Sequence, residues 1–250
     1  RQTNIDAFVM DSTAARLRLS EATGGLDFGR ELGRVGDFRV GVFRGVGEAR
    51  VKVGDPSIPH IDFNTGGAFA RLRIDTLDNA RFPRSGLRGD LQWTLSRPGL
   101  GADSEFDTVE AEISQTWSRG KNSVQFGLDY ATTLESDNTI QEYFPLGGFL
   151  RLSGLERGEI SGPHAALAKL VYYRRVGDTS GILDTPVYLG LSAETGNVWQ
   201  TRSEMDFGSM LWSGSFFVGF DTYIGPAFIA AGFAEDGKSN FYLFIGTPPR

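Results

Sequence analysis

The chain has 250 residues, enough for one large domain, and a formal net charge of −6 with acids and bases interleaved, so no basic block marks nucleic acid as a partner. It has no cysteine and only two histidines, His60 and His164, far apart in sequence. That excludes a disulfide framework and thiolate chemistry and leaves no histidine pair with metal-type neighbours. No run of about eighteen apolar residues occurs, which excludes a transmembrane helix but not a barrel, whose strands need only about ten residues with half of them polar.

Period-two alternation predicts about twelve strands, near 3–10, 13–22, 37–54, 64–77, 86–97, 105–118, 122–134, 163–176, 186–200, 208–222, 225–234 and 239–247. The third changes phase: Val40 and Val42 are even, whereas Ala49, Val51 and Val53 are odd. Gly45 and Gly47 sit at the switch, so a bulge or tight turn is expected there. In the fourth and fifth, Ala70, Leu72 and Ile74 oppose Arg71, Arg73 and Asp75, and Leu87, Leu91, Trp93 and Leu95 oppose Arg88, Asp90, Gln92 and Thr94. Val109, Ala111, Ile113 and Trp117 oppose Glu110, Glu112 and Ser114, and Val124, Phe126, Leu128 and Tyr130 oppose Gln125, Gly127 and Asp129. Val187, Leu189, Leu191 and Ala193 oppose Tyr188, Gly190, Ser192 and Glu194. The last strand, from Ser239 to Thr247, has Tyr242, Leu243, Phe244 and Ile245 apolar on both faces.

A soluble sandwich also alternates, but here charges recur on one face of hairpin after hairpin, with aromatics near strand ends on the other. That pattern fits an all-β, antiparallel transmembrane β-barrel with lipid outside and a polar lumen, a single domain over 1–250. Trp93, Trp117, Trp199, Trp212, Tyr172 and Tyr173 are candidates for interfacial girdles. Arg16, Arg18, Arg50, Lys52, Arg71, Arg73, Glu110 and Glu112 are expected to face inward as a solvated, mutually neutralising lining. Arg119-Gly-Lys-Asn122 reads as a compact turn, whereas the 135–162 connection is long and Gly-rich, a length at which loops are usually functional. Short turns at one rim and long loops at the other are the outer-membrane pattern. No signal peptide is visible ahead of Arg1, so the chain is expected to be a portion of a longer exported precursor.

Four ordered elements carry a resemblance: Asp75-Thr-Leu-Asp-Asn79, then Phe82-Pro83 and Gly86; the 152–163 segment; Glu194-Thr-Gly-Asn-Val-Trp199; and Gly225-Pro226 with the last strand. Together they resemble the C-terminal barrel of the bacterial surface-antigen superfamily, which includes outer-membrane barrel-assembly factors and two-partner secretion transporters. Leu152-Ser-Gly-Leu155, Ser161-Gly-Pro-His164 and Leu170-Val-Tyr-Tyr-Arg-Arg175 resemble most the barrels of patatin-like phospholipases of the type Vd autotransporter kind.

This resemblance implies a sixteen-stranded barrel of which twelve strands are present, an attached N-terminal lipase domain, outer-membrane lipid and the barrel-assembly machinery as partners, and homo-oligomerisation as an option. It also implies a sixth loop folded into the lumen, where an arginine pairs with an acid of the receiving strand. Here Ser153 stands at the arginine position and Glu194 at that of the acid, with Gly196 beyond it; Arg151 or Arg157 is a possible substitute, and a lock made of hydrogen bonds alone is the other option. The resemblance assigns Leu152, Ser153, Gly154, Leu155 and Arg157 to that loop and Asp75, Thr76, Asp78, Asn79, Pro83 and Gly86 to a strand–turn element.

The competing reading of 147–163 is a flexible surface loop. His164, at a strand start, reads as structural or interfacial, and His60, after Pro59, as solvated. No Gly-x-Ser-x-Gly elbow occurs and no nucleophile is paired with a base, so no catalytic residue, cofactor or metal is expected in this chain; any serine hydrolase chemistry belongs to the parent polypeptide. The rival functions are a barrel-assembly factor, a phospholipase with its site in the barrel, and a soluble β protein.

Overall fold

The computed structural model describes residues 6–8, 16–53, 61–135, 142–176 and 186–246. Fourteen strands lie in them: β1 Asp6–Phe8, β2 Arg16–Glu31, β3 Gly36–Val53, β4 Ile61–Asp75, β5 Gly86–Ser96, β6 Phe106–Arg119, β7 Asn122–Glu135, β8 Phe144–Leu146, β9 Ile160–Gly162, β10 His164–Val176, β11 Val187–Trp199, β12 Leu211–Thr222, β13 Gly225–Ala234 and β14 Ser239–Ile245. Twelve form one antiparallel sheet in chain order, and β8 pairs with β9 as a separate hairpin inside the long connection between β7 and β10. All twelve expected strands are therefore present in a fold of the barrel type. Consecutive antiparallel pairing is what short hairpin connections impose.

The alternation fixes which way each strand faces. One face exposes large apolar residues in paired rows: Leu91 and Trp93 on β5, Ile113 and Trp117 on β6, Phe126 and Leu128 on β7, Leu189 and Leu191 on β11, and Phe241, Leu243 and Ile245 on β14. On a soluble monomer so continuous an apolar surface would be a liability, whereas against lipid it is the requirement. The opposite, inner face carries Arg71, Arg73, Arg88, Asp90, Glu112 and Asp129.

Several expectations change. No bulge occurs at Gly45 or Gly47: β3 pairs with β2 in unbroken register from Leu17↔Val51 to Glu31↔Asp37, and the shift falls between Arg16 and Leu17. The phase change is chemical. Val40, Val42 and Val46 face outward, and towards the strand end the apolar residues move to the inner side, where Ala49 packs with Leu19 and Phe63. The second strand runs on to Glu31 instead of stopping at 22, because its second half pairs with the first half of β3, from Gly24↔Arg44 to Glu31↔Asp37, despite Gly24 and Gly25. Arg50 is not an inward residue; it lies on the outer side in an exposed pair with Glu48 at 2.7 Å. His60 and the side chains of Arg16, Arg18 and Lys52 lie outside the described residues. Trp93, Trp117 and Trp212 are exposed as girdle residues should be, but Trp199 and Tyr173 are buried and are not part of a girdle. Trp199 donates to Ser209 Oγ at 3.0 Å under the 200–210 loop, and Tyr173 points inward.

The turn rim holds residues 32–35, 76–85, 120–121 and 223–224; 97–105, 200–210, 235–238 and the β7–β10 connection lie at the loop rim. Among the described residues the turn rim thus contains one ten-residue segment, 76–85, which is not a compact hairpin. It folds inward, as described next.

Candidate functional site

The long connection returns to the inner face. Phe144↔Gly162, Pro145↔Ser161 and Leu146↔Ile160 form its stem. Above the stem, Gly147 N–H donates to Arg151 O and Leu155 N–H to Leu152 O, so the tip is built from tight turns. Leu150 and Leu152 sit at φ 61° and 69°, a left-handed conformation uncommon for leucine that persists only where surroundings hold it. Leu152 is 0% exposed, packed with Leu146, Leu155, Ala165 and Leu167.

Ser153 is the centre of the contact with the wall. Its backbone N–H donates to Glu194 Oε2 at 2.6 Å and its hydroxyl to Glu194 Oε1 at 2.7 Å. Ser192 Oγ donates to the same Oε1 at 2.5 Å and lies 2.7 Å from Ser215 Oγ. Glu194 is 1% exposed. A carboxylate accepts only, so it is matched here by three donors and no arginine. Of the two arginines considered, Arg151 leans to Asp129 at 4.0 Å, and Arg157 is exposed beside Gly148. The lock is therefore made of hydrogen bonds.

The tip also bridges three further strands. Gly154 N–H donates to Ser213 Oγ at 2.7 Å, Asn240 Nδ2 donates to Gly154 O at 2.7 Å, and Tyr242 OH reaches Ser153 O at 2.8 Å and Leu155 O at 3.0 Å. The backbones approach so closely that a Cβ on Gly232 would run into the Ser153 carbonyl and one on Gly154 into Ala234 N. Gly196 takes no part in this contact and lies against β10, where a Cβ would meet Ala166 O. His164 is buried at the base of the connection, with Nδ1 2.8 Å from Thr132 Oγ1.

Residues 75–86 form a second inward segment. Asp75 Oδ1 accepts from Leu77 N–H, and Thr76 Oγ1 from Leu87 N–H. Asp78 Oδ1 accepts from the N–H groups of Arg84 and Ser85, and Asn79 Oδ1 from those of Arg81 and Phe82. Burial opposes the Asp78 charge, but those backbone donors prevail and hold its carboxyl below the ordinary aspartate value. Gly86 takes φ 114°, with Thr76 O where a side chain would stand. The six motif residues therefore brace the turn or close it, and Pro83 supplies the carbonyl that accepts from Tyr173 OH. The residue they present inward is Phe82, 4% exposed.

Sequence reasoning named Phe82 only as part of the strand–turn motif and did not assign Phe149, Ser192, Ser213, Ser215, Gly232, Asn240 or Tyr242 to the site. For those on strands the inward parity was available from the alternation, but which inward residues meet a loop depends on how the connection returns, and no local pattern encodes that.

The Omp85 superfamily domain matches residues 3–248. Among solved structures, a BamA from Haemophilus ducreyi lacking POTRA domains 1–3 superposes with a TM-score of 0.70 at 14% identity, covering 93% of this chain and 54% of that one. CdiB from Escherichia coli gives a TM-score of 0.62 at 13% identity, covering 96% of this chain and 46% of that one. CdiB from Acinetobacter baumannii gives 0.55 at 10%, covering 91% and 42%. The chain spans about half the length of these structures. No curated protein matches it significantly.

Proposed function

The chain belongs to the Omp85 superfamily of outer-membrane β-barrels, and from that premise we propose that it anchors, and helps to translocate, an attached N-terminal patatin-like lipase domain. The observation that carries this reading is the loop tip. Leu152-Ser-Gly-Leu155 places a serine against the lumen acid Glu194, in the wording that resembles type Vd barrels, where other branches of the superfamily carry arginine.

The roles follow from the physics of the fold. A sheet in lipid satisfies its backbone groups internally, so the barrel is a stable anchor for whatever is joined to it. The outer apolar face supplies the contact with lipid, and the locked loop stiffens the last five long strands from inside. Leu152, Ser153, Gly154, Leu155 and Glu194 form that lock; Gly196 keeps β10 and β11 close beside it; Arg157 has no part in it. The covalently joined domain, outer-membrane lipid and the barrel-assembly machinery are the partners of this reading.

A second reading is an assembly factor or a two-partner secretion transporter, favoured by the likeness to BamA and CdiB. Reading the parent gene upstream of the Arg1 codon separates the two. A Gly-x-Ser-x-Gly elbow followed by a later Asp-Gly, one short periplasmic module and about four further strands is the expected result. Tandem periplasmic modules with no hydrolase would replace the first reading by the second. Esterase activity on intact cells, lost when the elbow serine becomes alanine, is the matching biochemical readout.

A further inference from the structure

Two inward segments enter the inner space from opposite rims, and they meet. Phe82, from the turn rim, stacks on Tyr188 with ring centroids 4.0 Å apart and planes within 10°, sets its edge to Tyr173 at 6.2 Å, and touches Phe228 at 5.4 Å. Phe149, from the loop rim, packs on Phe217 at 5.5 Å, on Phe228 at 5.6 Å and on Tyr242 and Phe244 at 5.7 Å each. Phe228 is the ring both share.

The wall is shaped for the turn-rim segment. Gly219 leaves the space that the Phe82 ring fills, since a Cβ there would come within 2.7 Å of the ring. The backbone of Pro83 is held by Tyr173 OH, and Arg81 ties the segment to the end of β12 through Asp221 at 2.7 Å and Thr222 O at 2.8 Å. A ring in a recess, a carbonyl on a buried hydroxyl and a guanidinium on the rim are three separate attachments. Between the segment and the charged wall remains a cavity of about 150 Å³ bordered by Arg88, Glu112, Arg151 and Lys169. A turn needed only to join β4 to β5 requires two to five residues, not ten.

We propose that residues 76–85 are a second plug, seated by Phe82 at the turn rim and interlocked through Phe228 with the loop plug seated by Phe149, so that neither opens without loosening the other. This inference stands apart from the identity of any attached domain. It assigns Phe82 a gating contact, and Tyr173, Tyr188 and Gly219 its socket. Aromatic pairs of this geometry add to plain burial, so loss of one ring weakens its neighbour's seat.

The test uses the full parent protein in outer-membrane vesicles. With any cysteine elsewhere in the parent replaced by serine, a cysteine at Ala230, buried in the shared cluster of these 250 cysteine-free residues, reports opening through its rate of labelling by a water-soluble maleimide. Phe82→Ala and Phe149→Ala should each speed labelling by about tenfold or more, and the double variant by clearly less than the product of the two. Heat-modifiable gel mobility checks that each barrel is folded. If Phe82→Ala does not assemble, Arg81→Ala and Gly219→Ala, which loosen the seat from outside and from behind, take its place with the same expectation against Phe149→Ala. An unchanged rate in the turn-segment variants makes the segment a mere connector and overturns the proposal, and so does a multiplicative double variant, which shows two plugs that open independently.

Discussion

The inner faces of β2–β7 and β10–β14 are written in the same alternation but filled differently. On the first wall many inward positions are long and charged, as in Arg39 with Asp27 and Asp37, and Arg73 with Asp90. On the second, Glu194 and Lys169 apart, many are small or aromatic: Ser192, Ser213, Ser215 and Gly232 at one level, and Tyr188, Phe217 and Phe228 at another. The ion pairs of the charged wall run sideways, within a strand or between neighbours, with side chains partly exposed. The second wall cannot satisfy itself in this way, because its hydroxyls and rings need something placed on them, and the loop tip and Phe82 are that something. Binary pattern tells the side of a strand; side-chain size on the inner side tells which part of the barrel is filled.

The sharpest way to break this contrast is at Glu194. Replacing it with alanine leaves the Ser153 N–H and the Ser153 and Ser192 hydroxyls without their acceptor in a buried site. Each orphaned donor costs about 1–3 kcal/mol, so several kcal/mol are expected in all, and the 142–163 loop should become open to protease while the barrel remains. Glu194→Gln should recover only part of this, because its amide would turn a donor towards donors. Equal protection of the loop in all three proteins would show that the lock is elsewhere.

Gly232→Val comes next. The added side chain occupies the position of the Ser153 carbonyl, so either the tip lifts or β13 moves. Overpacking of this kind costs about 1–3 kcal/mol, read as a lower denaturant midpoint by tryptophan fluorescence, with Tyr242 and Asn240 losing their contacts to the tip. A midpoint unchanged from wild type would mean that the tip yields freely, and the second wall would then be no more specifically filled than the first.

Much of this was legible beforehand. The strand count and the outer-face rows follow from alternation, and the family resemblance implied that position 153 faces 194, where the structure has Ser153 bonded to Glu194. The last strand looked apolar on both faces because both faces bury something: Phe241, Leu243 and Ile245 meet lipid, while Tyr242 and Phe244 meet Phe149. What stayed hidden was the meaning of 75–86. Asp, Asn, Pro and Gly in that spacing signal a turn, and they do make one, but the direction in which a turn folds depends on the recess at Gly219, about 130 residues away in sequence. The phase change at Gly45 and Gly47 misled for a related reason: a switch in which face is apolar has the same signature as a switch in the backbone.

A smaller effect is expected at Asp78, which serves the second wall from a distance. Its carboxyl is held below the ordinary aspartate value in the folded turn, so its contribution is fully present above that ordinary range and is lost as pH falls through the depressed folded value. Acidification should therefore loosen the 76–85 segment only at strongly acid pH, and Asp78→Ala should abolish that step. If acid opens the segment equally well in Asp78→Ala, the acid-sensitive brace is the Arg81–Asp221 pair instead.

The smallest effect belongs to the first wall, and for that reason it completes the comparison. Arg73 Nε meets Asp90 at 3.0 Å across β4 and β5, with both side chains partly exposed at 38% and 25%. Solvent screens such a pair, and the neighbouring charges on β5 and β6 can re-pair, so Arg73→Ala should change stability by only about 0–1 kcal/mol. Its denaturant midpoint should shift less at high salt than at low. A loss as large as that from Glu194→Ala would mean that the charged wall is also filled and water-poor, and the division between an open wall and a plugged one would not hold.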